Sequence, residues 1–163
     1  MNVQRIYEYA LQREREGLDF FQRNAERMSH AAAAEIFRKL ADEEQKHIEF
    51  IQALLKALEI GQSALENVIE LEQADFFSQR AELEKLDQTA IESMVPDLTV
   101  LRMAYLIERD FAEFYEAVTQ KVEEDDVREA LTMLAGWERG HEQLFKDIHD
   151  RLLEEYMNMP WGG

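Results

Sequence analysis

The sequence predicts an all-α protein, an antiparallel four-helix bundle whose second and third helices are joined by a long crossover. Three observations carry this. The 163 residues include only six Gly and two Pro, and the prolines fall late, at Pro96 and Pro160, clear of every proposed helix interior. Apolar residues recur at alternating spacings of three and four along four segments, which is the seam of a bundle helix. One polar pattern also occurs twice: Glu14, Glu44 and His47 return as Glu108, Glu138 and His141, each 94 positions on (108 − 14, 138 − 44, 141 − 47). The flanks repeat as well, Glu14-Arg15-Glu16 leading to Phe20-Phe21 and Glu108-Arg109-Asp110 to Phe114-Tyr115.

The first helix is predicted from about Val3 to Met28, with an inward stripe of Val3, Tyr7, Ala10, Glu14, Gly17, Phe21, Asn24 and Met28. Ser29-His30 marks a short break, so the second helix returns antiparallel with the stripe Phe37, Leu40, Glu44, His47, Ile51, Leu54 and Leu58, and Gly61 is a plausible stop. Residues 61–96 form an acidic connection, long enough to cross the whole bundle and expected to be partly helical. Pro96-Asp97 reads as a helix start, with Asp97 able to cap. The third stripe is Leu101, Ala104, Glu108, Phe111, Tyr115, Val118 and Val122. Asp125-Asp126 opens the fourth helix, whose stripe is Leu131, Leu134, Glu138, His141, Phe145, Ile148 and Leu152. The chain is thus read as one domain, 1–163, made of a helix pair 3–58, a crossover 61–96, a second pair 98–155 and a tail 156–163 in which Trp161 could dock on the bundle or a neighbour. A domain of this size buries roughly 70% of the surface its unfolded chain exposes, enough for a substantial core.

Composition excludes several function classes. Cysteine is absent, which removes disulfides, thiolate metal sites and a thiol nucleophile. That fits a reducing compartment, and the start Met1-Asn2-Val3-Gln4-Arg5 lacks the pattern of a signal peptide, so a cytoplasmic location is expected. No apolar run approaches the ~20 residues that span a membrane. A formal net charge of −17 argues against nucleic acid and anionic membrane surfaces as partners, and it attracts cations.

The repeated polar residues carry the chemistry. Glu14, Glu44, His47, Glu108, Glu138 and His141 all occupy stripe positions otherwise filled by Leu, Ile, Phe and Val. An unpaired carboxylate in such a place costs several kcal/mol or is driven to protonate. Two divalent cations remove the difficulty, because four carboxylates bring −4 and two such ions +4. In each Glu-x-x-His the side chains lie about one turn apart on one face and can reach the same ion. Oxygen-rich ligation with one imidazole per ion suits iron or manganese; zinc would bind without redox use. A single Glu-x-x-His is a weak signal on any acidic helix, but two copies in apolar seams, each with a partner Glu at the same offset, are specific.

At these residues the chain resembles the rubrerythrin branch of the ferritin-like superfamily, over roughly 3–58 and 98–155. The resemblance implies a ferritin-like bundle holding two iron ions (alternatively manganese, a mixed pair or adventitious zinc). In it Glu44 and Glu138 bridge, Glu14 and Glu108 are terminal carboxylates, and His47 and His141 complete one ion each. It also implies reaction with hydrogen peroxide or dioxygen. Three features depart from the family pattern. Without Cys there is no rubredoxin module, so a separate electron-donor protein is expected. Phe111 stands where typical rubrerythrins carry a further Glu one turn after the third-helix ligand, which makes the set closer to the symmetric six-ligand centre of bacterioferritins. Phe21 stands where the family usually has Tyr, whereas Tyr115 is kept on the other side.

Around this set, Tyr115 lies at nearly the same helical angle as Glu108. It could hydrogen-bond a ligand carboxylate or relay an electron, or be a core tyrosine satisfied locally. Gly17 faces the site where its repeat partner is Phe111, leaving either a small channel or a packing accommodation. Gly136 and Gly140 within the fourth helix hint at close approach of another element or subunit, and a homo-oligomer, with a dimer favoured, is expected. Glu16, Glu43, Asp110 and Glu142 read as solvated charge, and His30 and His149 as non-ligands. The functional expectation is a di-iron oxidoreductase that reduces peroxide or oxidises Fe(II). The alternatives are iron storage of ferritin type and a di-manganese protein with catalase-like or oxidase-like activity.

Overall fold

The computed structural model describes residues 2–61 and 93–159. Within them the chain forms α1 (Val3–Ala25), α2 (Ala31–Ile60), a 3₁₀ turn (Val95–Asp97), α3 (Leu98–Thr119) and α4 (Asp125–Asn158). The helices pack as two hairpins, α1 on α2 and α3 on α4. The expected crossover, apart from its ends, and the tail with Trp161 lie outside the described residues. No helix among the described residues is long and apolar enough to cross a membrane.

The helix ends follow from local chemistry. Asn2 caps α1 by accepting the Arg5 N–H, and His30 caps α2 through Nδ1, which accepts from Ala32. Gly61 ends α2 in the left-handed region at φ 66°, where glycine carries no Cβ penalty. Asp125 and Asp126 place negative charge in the first turn of α4, favourable to the helix dipole. Three expectations are corrected. The first helix stops at Ala25 rather than Met28, and the Asn24 amide at its end turns back to donate to the Phe20 carbonyl. Asp97 sits at the start of α3 but does not cap it, because both its oxygens accept the Ser29 N–H (2.9 and 3.1 Å), tying the α1–α2 turn to the third helix. The fourth helix continues to Asn158, past 155, until Met159 turns extended ahead of Pro160.

The core divides in two. One apolar cluster gathers Ile6, Tyr7 and Ala10 of α1, Phe50, Ile51 and Leu54 of α2, Phe111 and Tyr115 of α3, and Val127 to Leu134 of α4. The other gathers Phe21 and Ala25, then Phe37 and Leu40, then Leu101 and Ala104, then Phe145 to Leu152. Along α1 and α4 the first cluster precedes the second, and along α2 and α3 the order reverses. Each hairpin is therefore antiparallel, and α2 ends at the opposite end of the bundle from where α3 begins. Most of the predicted stripe residues are buried; Val3, Asn24, Met28 and Val118 are half-buried, and Leu58 is exposed on the last turn of α2. Between the clusters, at one level on all four helices, lie the six repeated polar residues.

Candidate metal centre

The six side chains predicted from the repeat converge. Glu14, Glu44, Glu108 and Glu138 are fully buried, and His47 and His141 are 3% exposed. Their ligand-type atoms form two overlapping groups of four, each within 4.8 Å, Glu14, Glu44, His47 and Glu138, and Glu44, Glu108, Glu138 and His141, with His47, Glu138 and His141 a third group of three. Glu44 and Glu138 belong to both groups of four. Both imidazoles turn Nδ1 into the cluster. That of His47 lies 3.0 Å from Glu138, 3.2 Å from Glu14 and 3.8 Å from Glu44. That of His141 lies 3.5 Å from Glu108 and Glu138 and 3.6 Å from Glu44.

These contacts leave the carboxylates poorly satisfied. Both oxygens of Glu44, Glu108 and Glu138 are buried with no hydrogen-bond partner, so the short approach of His47 to Glu138 is an ion contact off the hydrogen-bonding direction. The protonation equilibria record the strain. Burial, then the neighbouring Glu138 and Glu44, push the Glu14 carboxyl well above its usual range. Burial, then Glu44 and Glu138, do the same to Glu108. Burial disfavours imidazolium at His47 and His141, but the surrounding carboxylates outweigh it and raise both. Burial opposes the charge on Glu138, but the His47 charge and contacts from both imidazoles and Glu108 overcome it and hold this carboxyl well below its usual range. The cavity thus disfavours negative charge on Glu14 and Glu108.

The family model of rubrerythrin matches residues 5–149, most of the chain. The chain belongs to the rubrerythrin family. No curated protein and no solved structure gives a significant match.

The aromatic surroundings of this rubrerythrin-family site are asymmetric. The Tyr115 O–H donates to Oε1 of Glu14, and burial followed by the Glu14 charge raises the Tyr115 phenol. Its repeat counterpart Phe21 lacks a hydroxyl and stacks on Phe145 at 5.5 Å, with Phe37 edge-on. Gly17 is a packing accommodation: a Cβ there would come within 3.1 Å of both Glu44 Oε2 and Phe111 Cε2. Phe111 fills the space, with the Arg13 guanidinium 4.6 Å from its ring centroid. At Gly136, by contrast, a Cβ would meet nothing within 4 Å among the described residues. His30 is a helix cap, and His149 packs beside Tyr105 away from the cluster.

Two features were not legible in the seam pattern. Trp137, immediately before Glu138, lies parallel to the His47 ring at 5.0 Å, and His47 in turn stacks on His141 at 5.4 Å, so the rings support one another's orientation. Glu142 is not plain solvated charge. It accepts from Arg109 (2.9 Å) and Arg139 (2.6 Å), and Arg139 also makes a two-pronged contact with Glu116 (2.7 Å). The only sequence sign of this clasp is opposite charge beside the ligand-type residues of α3 and α4.

Proposed function

We propose that this chain is a non-haem di-iron oxidoreductase of rubrerythrin type, reducing hydrogen peroxide or oxidising Fe(II) at a carboxylate-bridged pair of ions. The observation that carries the proposal is the sharing of Glu44 and Glu138 between two ligand groups, which is the arrangement two adjacent ions need. The donor set fits: six carboxylate oxygens are buried without hydrogen-bond partners, and both imidazoles turn Nδ1 towards them, as cation ligands would. Glu44 and Glu138 would bridge, Glu14 with His47 would complete one ion, and Glu108 with His141 the other.

Two bound ferrous ions would supply one electron each, so that peroxide with two electrons and two protons leaves as two waters. The protein's part is positional. Trp137 and the paired imidazoles fix the ring planes, Tyr115 holds Glu14 and keeps its own proton, and the flanking apolar clusters exclude bulk water. With no Cys in this chain, electrons to restore the ferrous pair would come from a separate donor protein. We further place the protein in the cytoplasm, as a homodimer. Manganese is the alternative metal.

Ferritin-like iron oxidation and storage is the second reading, and Phe111 favours it. A buried phenylalanine occupies the position of the extra rubrerythrin carboxylate, which leaves the six-ligand set alone. The test is peroxide consumption by reduced, iron-loaded protein beside aerobic Fe(II) oxidation. Peroxide turnover well above that of Glu44→Ala supports the oxidoreductase. Turnover equal to that of the variant ends it, and a large hollow particle on size exclusion would favour storage.

A further inference from the structure

We propose that the two ion positions of this centre are chemically inequivalent and that Tyr115 makes them so, an inference that rests on the dinuclear reading above. Both oxygens of Glu14 are engaged by the protein: Oε1 accepts from the Tyr115 hydroxyl and Oε2 faces His47 Nδ1 at 3.2 Å in hydrogen-bonding geometry. Both oxygens of Glu108 are buried with no hydrogen-bond partner, and the His141 nitrogen is no nearer than 3.5 Å. The repeat locates the cause. The residue equivalent to Tyr115 is Phe21 (115 − 94), and it brings no donor to Glu108 from α1.

A carboxylate oxygen that keeps a phenol hydrogen bond is a weaker donor to a cation and is fixed in direction. Glu14 would therefore offer an ion one oxygen unweakened by the phenol, and Glu108 would offer two. An ion beside Glu14 and His47 would be the more weakly held by its terminal carboxylate, and so the more open to a small oxidant. A second difference points the same way. Arg109, Glu142, Arg139 and Glu116 clasp α3 to α4 around Glu108, Glu138 and His141. Their counterparts at the 94-residue offset, Arg15, Ile48, Gln45 and Gln22, cannot form such a clasp because Ile48 and the two amides carry no charge. The Glu108–His141 half alone carries this clasp. Tyr115 is thus a positioning residue that acts through Glu14.

Mössbauer spectroscopy of protein loaded anaerobically with ferrous iron reads this without turnover. Two quadrupole doublets of equal area are expected for the wild type. Tyr115→Phe, which frees Oε1 of Glu14, should merge them towards one, and Phe21→Tyr should do so from the other side by giving Glu108 a donor. Should Phe21→Tyr fail to fold, Tyr115→Phe alone decides. A single doublet from wild-type protein holding two irons per chain overturns the inference and leaves the dinuclear reading intact, as do two doublets unchanged by Tyr115→Phe. Fewer than two irons per chain removes the dinuclear reading and this inference with it.

Discussion

Replacing Glu44 by leucine should strengthen the metal-free bundle and abolish its response to metal. Both Glu44 oxygens are buried with no hydrogen-bond partner, and the nearest imidazole nitrogens stand 3.6 and 3.8 Å away. Leucine fits the seam, which continues as Leu40, Ile51 and Leu54. Replacing a set of buried ionic groups by apolar side chains of similar size is worth about 1–4 kcal/mol, and here the change also relieves the repulsion that Glu44 exerts on Glu14 and Glu108. At about 2–4 °C per kcal/mol for a chain of this length, Tm should rise by several degrees. In the wild type, each ion present at about 100 times its Kd adds about 2.7 kcal/mol, so a filled pair should raise Tm by roughly 10–20 °C. Glu44→Leu deletes a carboxylate common to both groups and should show almost none of that rise. Differential scanning calorimetry with and without Fe(II) or Mn(II), under anaerobic conditions, measures both effects. A variant less stable than wild type without metal, yet still stabilised by it, would refute the reasoning.

The metal-free wild type should lose stability as pH rises above about 4.5. The raised imidazoles of His47 and His141 contribute fully below their ordinary value of 6.5 and lose that contribution as pH climbs through their higher folded values. The raised carboxyls of Glu14 and Glu108 act in the same sense, because the folded state holds their protons beyond the ordinary 4.5. Glu138, whose folded value is depressed, opposes them only below 4.5. Urea denaturation across pH should show this slope, with metal flattening it; a metal-free protein that gains stability from pH 6 to 9 would contradict the assignment. Gly17→Ala gains helix propensity of about 1 kcal/mol but pushes a methyl to 3.1 Å from Glu44 Oε2 and Phe111. Calorimetric titration with Mn(II) should therefore show roughly tenfold weaker binding at nearly unchanged metal-free stability, and unaltered affinity would show that the glycine is not needed there. Arg139→Ala removes two ion pairs of a side chain 37% exposed, so the cost should be about 1 kcal/mol and shrink in high salt. A cost insensitive to salt would place the role of Arg139 in packing.

The seams were readable because burial on a helix leaves a period, and six polar residues that obey the apolar period announce themselves. The 94-residue repeat then paired them across helices that no local rule connects. Boundaries were legible where a single residue decides, as at Gly61, and not where tertiary contact intervenes. The Asp97 carboxylate is drawn from the cap it should have made by the Ser29 N–H, a partner 68 positions away. The Glu142 clasp and the Trp137–His47 stack lie off the seam, where charges and aromatics obey no period, so only the fold brings them together. Leu58 follows the stripe but sits at a helix end, where it remains exposed.

The central claim is that cations neutralise the buried acids. Anomalous X-ray scattering at the iron edge, from crystals of iron-loaded protein, tests it most directly. Two peaks per chain are predicted, both flanked by Glu44 and Glu138, one beside His47 and the other beside His141. Iron found only at surface carboxylates, or no peak between the four helices, would contradict it.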